Sequence, residues 1–261
     1  MLYFFPKFAL GPVILALIIS VALGLAAYLI VFKTRLFDHL INKPLVAPYV
    51  GVPNTVLALL LAFMASSVWQ NTSTATAALQ NEATALSRLG IIAATSPALA
   101  SELKGDLSSY IQLVEQGEWG KEYNMRRAPE IDQTLSNLYR HAWTIDAGAC
   151  TVREPGSLCT TKAMAAEILN EIKQLEAARE QRLSIGSQSN LGFARKWAFI
   201  YLLTLVSNVT HGAVHRANRH TAITAIVLWC LCIALVFSMI KLHIHPYKGF
   251  NPLTPDFTSL S

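Results

Sequence analysis

The chain has 261 residues, 53% of them hydrophobic and only 14% charged, against about 25% charged in an ordinary soluble domain. Its formal charge is +5, but no basic patch interleaved with aromatic residues occurs, so a soluble globular protein and a nucleic-acid partner are both excluded. Residues 70–194 hold 11 Lys/Arg and 14 Asp/Glu, leaving 10 of the 21 basic residues and 2 of the 16 acids for the remainder. Those ten basic residues lie near the ends of apolar segments, which points to lipid headgroups as their partner.

In chain order, Phe8 to Phe32 is a run of 25 residues without charge, preceded by Lys7 and followed by Lys33 and Arg35. A signal peptide has an apolar region of only about 7–15 residues, so this run predicts a retained first membrane helix. Gly24, Ala26 and Ala27 give it a small-residue face for close helix contact. After a connector comes the longest uncharged stretch, Pro44 to Asn81, containing Val52 to Trp69. It is long enough to cross a hydrocarbon core of about 30 Å as a helix. Without period-2 alternation it is no barrel strand. Pro53 sits near the expected start, where a missing N–H costs little. Trp69 falls at the opposite interface, a favoured place for an amphipathic ring.

Ala75, Leu79, Ala83, Leu86 and Leu89 keep helical spacing, so the second helix is expected to continue out of the membrane. Ser96-Pro97 reads as the cap and first position of a helix reaching about Gly117. Pro129 opens another, with Ile131, Leu135, Leu138, Ala142 and Ile145 on one face. Gly148 to Gly156 is a turn-rich break. Thr160 to about Ile185 is the longest extramembrane helix, expected to turn Ile168, Leu169, Ile172 and Leu175 inward and Glu171, Glu176 and Arg179 outward. Short breaks imply an antiparallel layout. Two further membrane helices follow, Trp197 to Val214 and the charge-free 20-residue run Thr221 to Ile240. The expected fold is all-α: a four-span integral membrane protein with one extramembrane helical domain. Its domains divide at 1–69, 70–194, 195–245 and a proline-containing extended tail, 246–261.

Val52-Pro53 with Thr55, a Phe on the next turns and Trp69 seventeen residues after the Val resemble the second transmembrane helix of the bestrophins. Glu82-Ala83 with Leu86 and Leu89, Glu118-Trp119, Arg179 with Arg182, and Pro246-Tyr247-Lys248-Gly249 resemble the bacterial bestrophin-like family over nearly the whole chain. The resemblance implies a homo-oligomer, five copies around an axis, whose second helices line a narrow apolar neck. It also implies a cytoplasmic helical domain and residence in the cell inner membrane as a multi-pass protein. Basic residues near the spans divide five to five between the two sides, so charge does not orient the chain. Cys150 and Cys159 flank one loop: a disulfide between them would put the domain in an oxidising compartment, while two reduced thiols would not.

Val52, Val56 and Leu60 are spaced i, i+4, i+8 and fall on the neck positions of the resemblance. In a ring such a row makes successive apolar collars able to gate by expelling water. The same row would otherwise face lipid or a neighbouring helix. Asn54 and Thr55 are candidate ion contacts or helix-to-helix hydrogen bonders. Glu82, the first charge after the run, would favour cations as a ring at a pore exit; the alternative is an inter-helix ion pair. For Arg179 and Arg182 the expectation is ion pairing with acids of the helical domain. His211 and His215, i and i+4, lack a third ligand at metal spacing, so no metal is expected; their charge near neutral pH would make a pore pH-sensitive. No cofactor is called for either. The acidic cluster that calcium-gated bestrophins carry after the last span is missing from Lys241 to Phe250. No Walker loop, dinucleotide-binding glycine pattern, nucleophile elbow or zincin motif occurs, so no enzyme is expected. The expected function is passive conduction of small inorganic ions through a homo-oligomer in the lipid bilayer. The alternative is a non-conducting scaffold or sensor whose helical domain binds a partner.

Overall fold

The computed structural model describes residues 7–34, 46, 48–95, 97–121, 123–148, 160–187, 191–248, 252–255 and 257. Among them are seven α-helices and no strand. They are α1 (Lys7–Lys33), α2 (Pro48–Thr95), α3 (Pro97–Leu113), α4 (Pro129–Gly148), α5 (Thr160–Ser187), α6 (Leu191–Val214) and α7 (Arg219–His243). A π-helical segment, Val114–Lys121, follows α3. Cys150, Cys159 and most of the connector before α2 lie outside the described residues.

Two compact units result: Met1–Thr72 with Ser189–Asn251, and Ser73–Gln188 with Pro252–Ser261. The first holds the apolar parts of four helices long and apolar enough to cross a membrane, on α1, α2, α6 and α7. Every backbone N–H and C=O in hydrocarbon must be satisfied within the segment, and only the helix does that for a single chain segment. Prolines open α2, α3 and α4 at their first position, where the missing donor is an orphan anyway. α2 begins four residues earlier than the apolar run suggests, at Pro48, so Pro53 lies inside the helix and leaves the Tyr49 carbonyl without its helical donor. The helix nonetheless continues to Thr95, 48 residues in all.

Within the membrane unit, small residues set the packing distance. A Cβ on Gly24 would stand 2.6 Å from Cys230 Sγ, and one on Gly212 would stand 3.2 Å from Ile226 Cδ1 and 3.3 Å from Val31 Cγ2. Polar side chains then clasp the spans together. Ser20 Oγ donates to the Cys230 carbonyl at 2.8 Å, and Cys230 Sγ approaches Asn208 Oδ1 at 3.4 Å. Such bonds hold helices in hydrocarbon, where burying apolar surface supplies no force between them. Around them sit Ala16, Leu57, Leu61, Met64, Trp197, Ile233 and Phe237.

The helical unit packs α4 against both α3 and α5. Ile168, Ile172 and Leu175 of α5 are buried as their spacing predicts. Glu171 and Arg179 correct that expectation. Both were expected outward, yet both are buried, because each finds an ion partner: Glu171 meets the exposed Arg88 at 3.1 Å, and Arg179 meets the buried Glu118. An amphipathic count scores charge as outward and has no means of anticipating a paired charge.

At the end of α5, Gly186 stacks directly on the backbone of Asn124, so close that a Cβ would collide with the Asn124 carbonyl oxygen. Backbone cannot yield as a flexible side chain would. Gly186→Ala is therefore expected to lower the stability of the helical unit by about 1–3 kcal/mol or more, the usual cost of overpacking. Thermal unfolding of the variant beside wild type, followed by circular dichroism, checks this; an unchanged midpoint overturns it.

Candidate functional site

Two constellations stand out. The first is the free face of α2. Leu57, Leu61, Met64 and Val68, at i, i+4, i+7 and i+11, are buried against α6 and α7. The opposite stripe repeats the same spacing with Val52, Val56, Leu59 and Phe63, exposed by 69, 43, 54 and 69%. The sequence-derived row was Val52, Val56 and Leu60. Its first two members fall on this stripe, while Leu60, 38% exposed, sits on its shoulder. A helix turns about 100° per residue, so strict steps of four drift about 40° each time. Alternating steps of four and three stay in line, which is why Leu59 and Phe63 join the stripe. That signal was present in the spacing.

The stripe continues past Phe63 as Ser66, Gln70, Ser73, Ala77, Asn81 and Thr84, all exposed and none charged. The exposed residues of α1 from Ile14 to Leu29, and of α7 from Val227 to Met239, are by contrast all apolar. Hydrocarbon suits those two faces. The polar part of the α2 stripe begins at Ser66 and lies mostly beyond Trp69, where the apolar run ends. Beside the stripe, Leu60, Phe63, Met64, Phe199 and Lys196 border a groove of about 400 Å³.

Asn54 and Thr55 take different roles. Asn54 bridges to α6: it accepts from Ser207 Oγ, and its Nδ2 lies 3.2 Å from His211 Nε2. The His211 ring in turn lies 5.0 Å from that of Trp229 on α7. Thr55 is exposed on the free side of α2, its hydroxyl donating to the Gly51 carbonyl at 2.8 Å.

The second constellation is a buried ionic core in the helical unit. Glu82, Glu118, Arg179 and Arg182 are all 0% exposed. Arg182 grips Glu82 with two parallel bonds, Nε to Oε2 at 2.7 Å and Nη2 to Oε1 at 2.9 Å, and reaches Glu118 Oε2 at 2.9 Å. Its remaining terminal nitrogen donates to Asn124 Oδ1. Arg179, one turn earlier on α5, bonds Glu118 Oε1 at 2.6 Å and Asp132 Oδ1 at 2.6 Å. Tyr110 donates to Glu82 Oε1 at 2.7 Å. The cluster thereby ties together α2, α3, the π segment, α4 and α5.

Local backbone features aim these groups. The π winding turns both Glu118 and its neighbour Trp119 inward, where the Trp119 ring lies 5.8 Å from the Arg182 guanidinium. The turn after it puts Tyr123 and Asn124 at φ 47° and 60°, and Asn124 N donates back to the Glu118 carbonyl at 2.7 Å. Asn tolerates that left-handed region and Tyr less so, so the turn is held in place by what it caps. Electrostatics agree with the geometry. Burial, and then the Glu82 carboxylate, push the Tyr110 phenol well above its ordinary range, so it stays a donor. Burial opposes the charge on Arg182, but Glu82 outweighs it and the net shift is upward. Burial likewise opposes the charge on Asp132, but its bonds to Arg179 and Arg127 hold it below the ordinary value.

Glu82 thus lies within the ionic core, both oxygens occupied, and is not on the exposed stripe of α2. Arg88 pairs with Glu171 instead. Among the described residues no group of three His, Cys, Asp or Glu is placed to hold a metal ion.

The bestrophin-like domain family model matches residues 15–257, so the chain belongs to the bestrophin-like family and is a membrane protein of that family. No curated protein and no solved structure matches it.

Removing one partner of a buried ion pair leaves the other charge stranded, at a cost of about 3–5 kcal/mol. Arg182→Met is expected to unfold the helical unit at much lower urea, and the double variant with Glu82→Leu to recover part of that loss; denaturation curves of both check it. Asp132 gives the acid limb. Its folded value is depressed, so its contribution is present above the unfolded value of about 3.9 and is lost as pH falls through the lower folded value. The stability difference between wild type and Asp132→Asn should therefore be constant above about pH 5 and shrink below about pH 4. Unfolding midpoints across pH 2–6 measure it.

Proposed function

We propose that this member of the bestrophin-like family is a homo-oligomeric, pentameric passive ion channel of the cell inner membrane, crossing the bilayer four times. Copies of α2 surround the axis and turn their free stripe toward it. Val52, Val56 and Leu60 form the constriction, with Leu59 and Phe63 completing the collars below Val56. Such collars repel water, so a small change in radius switches conduction on or off. Thr55 offers its hydroxyl to the pore, whereas Asn54 fixes α2 to α6 through Ser207 and His211. Glu82 acts as structure, not as an ion contact.

One observation carries this reading. The exposed stripe of α2 is apolar from Val52 to Phe63 and continues without charge through Ser66, Gln70, Ser73, Ala77, Asn81 and Thr84, while the exposed residues of α1 from Ile14 to Leu29 and of α7 from Val227 to Met239 are all apolar. Within the apolar run, a face shared with identical copies around water accounts for the exposed hydroxyls of Thr55 and Ser66 among apolar neighbours; from Gln70 onward, where the helix leaves the apolar run, the polar side chains need no such partner. A second reading, a non-conducting scaffold or sensor, has its own support: a groove of about 700 Å³ between α2 and α3, bordered by Ser87, Ile91, Lys104 and Glu115, has the mixed lining of a partner site.

Planar-bilayer recording of the purified protein separates the two. Val56→Ala and Leu60→Ala are expected to raise open probability or conductance over wild type. If wild type and both variants pass no current, the channel reading falls and the scaffold reading stands.

A further inference from the structure

We propose that the membrane unit carries a binding site for one anionic phospholipid, its acyl chain in a groove between α1 and α7 and its phosphate on Arg219. The groove has a volume of about 340 Å³, and its walls include Leu17, Val21 and Leu25 of α1 facing Val227 and Leu231 of α7. Those five side chains are all 45% or more exposed, so the groove opens sideways toward the bilayer. Gly24 leaves the groove without a side chain at that level, because a Cβ there would meet Cys230 and Ile226. From Leu17 to Tyr28 the groove runs eleven residues, about 16 Å along the helix. Half of a hydrocarbon core of about 30 Å is about 15 Å, so the groove spans one leaflet. A spanning helix from a second copy would need a seam through both leaflets.

The polar end identifies the lipid class. Tyr28 lines the groove mouth, and Arg219 lies over its ring, 5.5 Å from the centroid, while donating to its hydroxyl. Those contacts hold the guanidinium at the mouth but use few of its five N–H donors. Among the described residues of this unit no Asp or Glu competes for the rest. An exposed guanidinium fixed at the headgroup end of an acyl-length groove fits a phosphodiester supplied by the bilayer. The channel reading plays no part here; the site needs only the membrane location.

Native mass spectrometry of the full chain in detergent, titrated with dioleoyl phosphatidylglycerol or dioleoyl phosphatidylcholine, tests it. Wild type should bind one phosphatidylglycerol per protomer, at least fivefold tighter than phosphatidylcholine. Arg219→Gln should lower phosphatidylglycerol affinity at least fivefold, the ratio that corresponds to about 1 kcal/mol per basic residue at an anionic surface. Arg219→Lys should keep most of it. Val227→Phe, at an exposed position, should fill the groove and weaken both lipids. Unchanged phosphatidylglycerol binding in either Arg219→Gln or Val227→Phe overturns the proposal. So does equal affinity for the two lipids, which would mean an acyl chain held without its headgroup. Loss of oligomers, not of lipid, in Val227→Phe would instead assign the groove to a second copy and also overturn it.

Discussion

A charge taken out of water must be either absent or matched, and the two units meet that requirement in opposite ways. The membrane unit excludes acids altogether among its described residues and keeps its basic side chains near the helix ends. The helical unit buries two carboxylates and two guanidinium groups completely, and pairs each one. α2 contributes to both. It is uncharged through Asn81, and its first charge, Glu82, is also the residue that Arg182 and Tyr110 enclose. Desolvating an ion costs several kcal/mol even after relaxation, so a half-matched cluster would be worse than an apolar one.

That requirement also fixes what the free stripe of α2 is able to do. With the ionic core holding Glu82 and the polar clasp holding Asn54, the exposed stripe of α2 from Val52 to Thr84 carries no charge; the first exposed charge is Arg88. A pore lined this way would discriminate first by wetting and radius and only weakly by charge. The sign of the permeant ion would then be set by groups at the two mouths.

Much of this was legible in the residues. Uncharged runs marked the four long apolar helices, and prolines marked the starts of α3 and α4. Gly24 announced the close approach of α1 to α7 that the structure places against Cys230. Ion pairing was anticipated for Arg179 and Arg182, but their depth was not, since helical periodicity alone sends charge outward. The Asn54 link to His211 joins residues 157 apart in sequence, a separation over which spacing carries no information. Steps of four found the exposed residues Val52, Val56 and Leu60, while the drift of the helix adds Leu59 and Phe63 to the same exposed face.

The π-helical stretch Val114–Lys121 bears on how the ionic core tolerates change in length. Its wider winding, at the end of α3, takes more residues per turn than the helix it extends. Removing one residue between Val114 and Gly117 would swing Glu118 and Trp119 around the axis together. Both guanidinium groups would lose their shared carboxylate at a stroke, although every residue of the cluster would still be present. A single-codon deletion in this stretch is thus a far harsher lesion than almost any substitution at its surface.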